Sequence, residues 1–225
     1  MGFQGVDFLK FDDELSSEER MIRDEVRRWV DEQVLPVIVS HFESGSFPTE
    51  LIQPLARMNL LGANLDQRYG CAGLGAVAYG LINQELERGD SGLRSFFSVQ
   101  SSLVMWPIAE YGSEEQKNRW LQRMARGEIV GCFALTEPDA GSNPEALLTR
   151  ARRRGGDYIL NGTKMWITNG TLADLALIWA RDDEGMIGGF LLEKGTPGFS
   201  QNKVTDKFSL RASDTAELVL DDVRV

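Results

Sequence analysis

The stretch EIVGCFALTEPDAGSN at 128–143 decides how the chain divides. Before it, apolar residues recur at the three-to-four-residue spacing of amphipathic helices. After it, they fall into short blocks bounded by turn formers, as strands do. The run from Ile129 to Leu135 reads as a strand that stops at a hydroxyl, Thr136, and a carboxylate, Glu137. Pro138, Asp139, Gly141, Ser142 and Asn143 then turn the chain. Such a cluster serves as an ordinary surface turn or as a loop that presents groups to a ligand from the end of a rigid strand.

Upstream, Ser16 and Glu19 make a capping box ahead of an apolar stripe at Ile22, Val26, Trp29, Val30 and Val34. Pro36 is expected to end or bend that helix. A second helix is expected from Pro48-Thr49 to Gly62, a third from about Ala76 through Leu86, and a fourth from about Ser91 to Tyr111. Ser113 and Gln116 form another capping box before Trp120, Leu121 and Met124, and this fifth helix stops near Gly127. These helices make a bundle over residues 1–128.

Downstream, Asp157–Leu160 and Thr163–Ile167 flank Asn161-Gly162 and read as a hairpin. Leu175–Ala180, Gly189–Glu193, Lys203–Leu210 and Ala216–Leu220 add short strands. The fold class is therefore α+β: an all-α N-terminal bundle, then an antiparallel β-barrel or sandwich over 129–225. The basic run Arg150, Arg152, Arg153, Arg154 reads as a solvated strand end that protects an edge.

The chain has 225 residues, 42% of them hydrophobic, and a net charge of −10. That charge argues against nucleic acid as a partner, because nucleic-acid binding needs a positive field. No stretch approaches the roughly 20 apolar residues that cross a bilayer. The N-terminus lacks the character of a signal or transit peptide, and its Met1-Gly2 start lacks the Ser or Thr that myristoylation wants at position six, which is Val6. Cys71 and Cys132 have no metal-ligand spacing and read as reduced thiols of an intracellular protein, in the cytoplasm or a mitochondrial matrix. No metal is expected.

Gly73-Leu-Gly75-Ala-Val-Ala78 fits a permissive dinucleotide fingerprint but follows a loop rather than a strand, so a Rossmann unit is rejected. One histidine, His41, and no nucleophile elbow leave no hydrolase triad. Arg94, among Ser91, Ser95 and Ser98 at the start of a helix, is suited to an anion such as a carboxylate. Glu87, seven residues earlier, could pair with it; a solvated Arg–Glu pair is the plain alternative. Met165-Trp166-Ile167-Thr168 echoes Phe133-Ala-Leu135-Thr136: each delivers an aromatic and a hydroxyl to a strand end. Together they would form a flat apolar slot with polar edges, suited to a planar heteroaromatic such as a flavin. Gly141 and Ser142 could then offer backbone amides and a hydroxyl to a diphosphate.

FALTEPDAGSNP at 133–144, NGTKMWITNG at 161–170 and KFSLRAS at 207–213 resemble the flavin-binding middle domain of acyl-CoA dehydrogenases. ELERGDSGLRSFFSVQSSLVM at 85–105 and GGFLLEKG at 188–195 resemble the glutaryl-CoA dehydrogenase branch. The resemblance implies FAD as cofactor, with Phe133, Leu135 and Thr136 lining its ring, Gly141 and Ser142 near its diphosphate, and Trp166, Ile167 and Thr168 over its other edge. It implies an acyl-CoA substrate, touched by Ser142, whose distal carboxylate is held by Arg94 and Ser95 beside Glu87. It also implies α,β-dehydrogenation with decarboxylation to crotonyl-CoA, electron transfer to an electron-transfer flavoprotein, and a homotetramer.

Members of that family continue into a C-terminal helical bundle that carries the catalytic glutamate. This chain ends directly after its last strand, so the base is expected outside it, in a C-terminal domain or partner subunit, and no catalytic residue is assigned within it. Asn143 replaces the usual aspartate, Leu93 a common tyrosine and Cys71 a usual glycine. The alternatives are a dehydrogenase of short-chain monocarboxylic acyl-CoA, or a non-catalytic interaction module with the same fold.

Overall fold

Both capping boxes form. Ser16 accepts from the Glu19 amide and Ser113 from the Gln116 amide, and the glutamate and glutamine side chains return the bond. The computed structural model describes residues 8–225, so the Met1-Gly2 start lies outside the described residues. After a short turn, α1 (Phe11–Glu14), come α2 (Ser17–Trp29), α3 (Leu35–Ser44), α4 (Ile52–Arg57), α5 (Ala76–Gly89), α6 (Ser91–Ser98), α7 (Trp106–Tyr111) and α8 (Glu114–Ala125).

Pro36 does not end its helix. A π-helical stretch, Val30–Val34, precedes it, and the helical path continues through α3. Val99–Met105 does the same ahead of Pro107. Proline lacks an N–H, and its ring collides with the carbonyl four residues back; a widened π turn at that point absorbs both defects. The helix expected to run from Pro48 to Gly62 is shorter, a 3-10 turn and then α4, because Met58 leaves the helical region and Asn59 adopts φ 55.

Seven strands follow: β1 (Gly131–Ala134), β2 (Arg150–Arg154), β3 (Asp157–Thr168), β4 (Leu175–Arg181), β5 (Ile187–Glu193), β6 (Phe199–Lys203) and β7 (Thr215–Arg224). Their order is β1-β4-β2-β3-β7-β6, with β5 on β4. The sheet is mixed rather than purely antiparallel: β1 runs parallel to β4, and β2 meets β4 in parallel at Arg150. Long connections, not hairpins, join those partners, so no local turn signal announces them.

The Asn161-Gly162 hairpin is also corrected. Asp157–Thr168 is one strand, and the true turn is Gly155-Gly156, with Arg154 opposite Asp157. Asn161 instead exchanges two bonds with Asp222, its Nδ2 to Oδ1 and its Oδ1 from the amide, both 3.0 Å. Gly162 marks a bulge where a Cβ would fall 2.8 Å from the Thr149 Cα. The strand expected over Lys203–Leu210 ends at Lys203. Beyond it, KFSLRAS clasps the helices: Arg211 donates to the carbonyls of Phe42 and Glu43, and Gly92 packs on Ala212 and Ser213.

One buried side chain stitches helices to sheet. Gln100 donates to the carbonyls of Met124 (3.3 Å) and Ile129 (2.8 Å) and accepts from the Gly131 amide (2.7 Å). Beside it Gly131 approaches so closely that a Cβ would meet Val104 Cγ1 at 2.8 Å. Among the described residues no helix is long and apolar enough to cross a membrane.

Gln100→Leu keeps the volume but orphans the Ile129 carbonyl and the Gly131 amide, each costing about 1–3 kcal/mol. The melting temperature should fall by roughly 5–20 °C, read by circular dichroism. A fall below about 1 °C would show that these bonds do not hold the seam.

Candidate functional site

Lys164 and Ile167 both point into the interior, so the two residues between them, Met165 and Trp166, share the outer side. The register with β7 slips at this point. Trp166 is consequently 61% exposed with φ 62. A left-handed conformation costs an L-residue about 1–2 kcal/mol, and such outliers persist where the surroundings over-determine them. Here three bonds do so. The Met165 amide donates to the Thr136 carbonyl at 2.9 Å, and the Lys164 ammonium donates to the Leu135 carbonyl (2.9 Å) and the Glu137 carboxylate (2.8 Å). The rare backbone at Trp166 and the end of β1 are thus tied together.

Glu137 also closes the following loop. Its carboxylate accepts from the amides of Leu148 and Thr149, and its backbone pairs with Ala140 in both directions. Residues 138–147 therefore leave and return to one buried carboxylate, with Gly141 and Ser142 exposed and open space where a Gly141 Cβ would stand. Burial alone would raise the Glu137 carboxyl, but the bonds from Lys164, Leu148 and Thr149 hold it below the ordinary range. Burial pulls the Lys164 ammonium down, and Glu137 partly offsets this.

The residues singled out from sequence fall into two sets. Thr136 and Leu135 are half-buried at the β1 end, with Trp166 next to the Met165 amide that bonds Thr136; Thr168 is half-buried two residues further along β3. Phe133 turns partly inward, its ring 5.8 Å from that of Trp179. The Ile167 side chain belongs to the sheet core, so only its main chain faces outward contacts. The second set lies at the α5–α6 junction. Arg94 Nε donates to Glu87 at 2.7 Å and its Nη1 to Ser98 at 3.3 Å, while Ser91 donates to the other Glu87 oxygen. These bonds hold the Glu87 carboxyl low, Ser91 contributing most. Ser95 is half-buried alongside. Among the described residues no hydrogen bond or ring contact joins the two sets directly. The link is the helical path itself, which carries Arg94 past Gln100 to the start of β1.

Residues 16–128 match the acyl-CoA dehydrogenase N-terminal domain, and residues 132–223 the middle domain of the same family. The chain belongs to the acyl-CoA dehydrogenase family. A glutaryl-CoA dehydrogenase from Mycobacterium smegmatis, solved in complex with FADH2, is 55% identical with a TM-score of 0.95, over 98% of this chain and 56% of that one. The structure of a glutaryl-coenzyme A dehydrogenase in its glutaryl-CoA complex is 32% identical, with a TM-score of 0.90 over 94% of this chain and 55% of that one. The short-chain specific mitochondrial enzyme of Rattus norvegicus is 34% identical over 94% of this chain and 52% of its own length. The chain thus spans about half the length of the relatives it matches.

Sequence reasoning missed Lys164 as part of the site, although a lysine inside an apolar strand, with an acid directly after a facing strand, is a usable signal of a buried pair. It also missed Asp214, buried and accepting from Thr171 and Leu172 at the foot of the Asn169 turn. The cysteines are free and buried, which pushes the Cys71 thiol up to about 11 and the Cys132 thiol up to about 12. Among the described residues no cluster could hold a metal ion.

If Trp166 serves a ligand rather than the core, Trp166→Gly should change stability by under about 1 kcal/mol in urea unfolding, since glycine accepts φ 62 freely. A loss of 3 kcal/mol or more would assign it to packing. Acid should unfold the chain through its depressed carboxylates. Glu85 is fully buried; burial would raise its pKa, but Arg27 and Arg88 lower it from the ordinary 4.5. Stability from such a group is complete above that value and lost as pH falls through the folded one. Glu85→Gln should therefore flatten the stability profile below pH 4.5; an unchanged acid limb would refute the assignment.

Proposed function

We propose that this chain forms the flavin- and acyl-CoA-binding part of an FAD-dependent acyl-CoA dehydrogenase whose substrate is glutaryl-CoA, with an α-helical domain over 1–128 and a β-domain over 129–225. The observation that carries the flavin reading is Trp166: a large indole turned outward at backbone cost, tied by hydrogen bonds to the Thr136 strand end. Indole, the Thr136 and Thr168 hydroxyls and the open loop at Gly141-Ser142 fit a flat ring with polar edges and a phosphate tail.

Bound there, FAD supplies the two-electron acceptor for α,β-dehydrogenation of the thioester. Phe133, Leu135, Thr136, Trp166, Ile167 (through its main chain) and Thr168 hold the ring, and the Thr136 hydroxyl donates to it. Gly141 lets the backbone approach the diphosphate, and Ser142 donates to phosphate and to the acyl-CoA. Arg94, with Ser95, receives the distal carboxylate and fixes the acyl chain. Glu87 holds the guanidinium ready through its 2.7 Å bond. No carboxylate of these two sets is free to take the α-proton: Glu137 is saturated by Lys164 and two amides, and Glu87 by Ser91 and Arg94. As the family resemblance implies, the base is assigned outside residues 1–225, in a further helical domain or a partner subunit. Decarboxylation to crotonyl-CoA, electron transfer to an electron-transfer flavoprotein and a homotetrameric assembly complete the reading. Kinship with glutaryl-CoA dehydrogenases supports it.

Arg94→Ala discriminates between substrates. Loss of a charge-assisted contact costs about 1.5–3 kcal/mol, so glutaryl-CoA affinity should fall roughly ten- to hundredfold while butyryl-CoA affinity holds, measured by titration calorimetry. Equal losses for both would point to a monocarboxylic substrate.

A further inference from the structure

Lys164 and Glu137 do more than fill the interior, and we infer that this ion pair is the positioning device that sets Trp166 and the 138–147 loop at their spacing around the site. The inference rests on the flavin reading of that site. The ammonium reaches two groups that belong to different parts of it: the Leu135 carbonyl, one residue before Thr136, and the Glu137 carboxylate, one residue after. The carboxylate passes the restraint on, through the amides of Leu148 and Thr149, to the far end of the loop that carries Gly141 and Ser142. On its own strand, Lys164 begins the bulge, and the next amide, that of Met165, is bonded to Thr136. Pulling Lys164 inward therefore turns Trp166 outward, and the same pull closes the loop.

Neither member of the pair faces solvent, Lys164 at 0% and Glu137 at 5% exposure, so neither is available to a ligand. They act only through what they hold. A neutral pair of similar volume often matches a buried ion pair in stability. It cannot reproduce this bond set, because methionine at 164 donates nothing to the Leu135 carbonyl. Stability and positioning are thereby separable.

The test uses the double variant Lys164→Met with Glu137→Gln, since Lys164→Met alone strands a buried carboxylate. Two readouts are taken. Without FAD, amide hydrogen exchange should quicken at least tenfold at Met165, Leu148 and Thr149, while Leu160 and Leu218 in the sheet core hold. With FAD, the dissociation constant should rise at least tenfold, and the flavin absorption bands should move toward those of free FAD. Unchanged exchange at the three amides overturns the inference. So does faster exchange with unaltered FAD affinity, which would make the pair structural only. Failure of the unaltered protein to bind FAD would sink the flavin reading, and exchange alone would then judge the pair. Should the double variant not fold, the same readouts are taken on Glu137→Gln.

Discussion

A lysine ammonium sealed from water, between a carbonyl at the end of one strand and a carboxylate at the foot of a loop, organises the β-half of this molecule. Removing two charges from water costs several kcal/mol per ion, and their attraction compensates only with excellent geometry and further hydrogen bonds. Both conditions hold. Glu137 takes two backbone amides as well as Lys164, and Lys164 takes a carbonyl as well as Glu137. Because each satisfied bond leads to a different segment, the pair fixes relations between segments that hydrophobic burial, which has no direction, leaves free. A tryptophan in a left-handed backbone, exposed beside a threonine, follows from that arrangement.

The second constraint is the seam between helices and sheet. Gln100 satisfies three backbone groups where α8 ends and β1 begins, and Gly131 lets the strand lie against Val104 and Met124. From the other side Arg211 grips the carbonyls at the end of α3. Arg94, on the same helical path as Gln100, therefore stands in a set relation to the start of β1 although no direct contact joins it to Trp166. A binding site with one wall from each half needs that rigidity.

Much of this was legible in the chain, for identifiable reasons. Ser16–Glu19 and Ser113–Gln116 announced helix starts because a capping box is satisfied within four residues. The change of period near Gly127 was readable in the spacing of apolar residues, and the pairing of Arg94 with Glu87, open in the sequence, forms with both side chains partly exposed. What misled was non-local. Asn161-Gly162 has hairpin chemistry, but Asp222, 61 residues on, claims the Asn161 side chain. Pro36 should have broken a helix, and a π turn absorbed it. The parallel contact of β1 with β4 has no local mark at all. Lys164 carried no local mark of its role because its partner, Glu137, lies 27 residues earlier, beyond the end of β1. Ile167 entered the ring-holding set through the resemblance alone, and its side chain lies in the sheet core.

The central claim is that the Thr136 and Trp166 strand ends together hold one flat ring. The most direct measurement is a crystal structure of the protein grown with FAD. Isoalloxazine density is expected against the Trp166 indole, with a ring atom within hydrogen-bonding distance of the Thr136 hydroxyl. Ring density elsewhere, with Trp166 and Thr136 facing solvent, would contradict it.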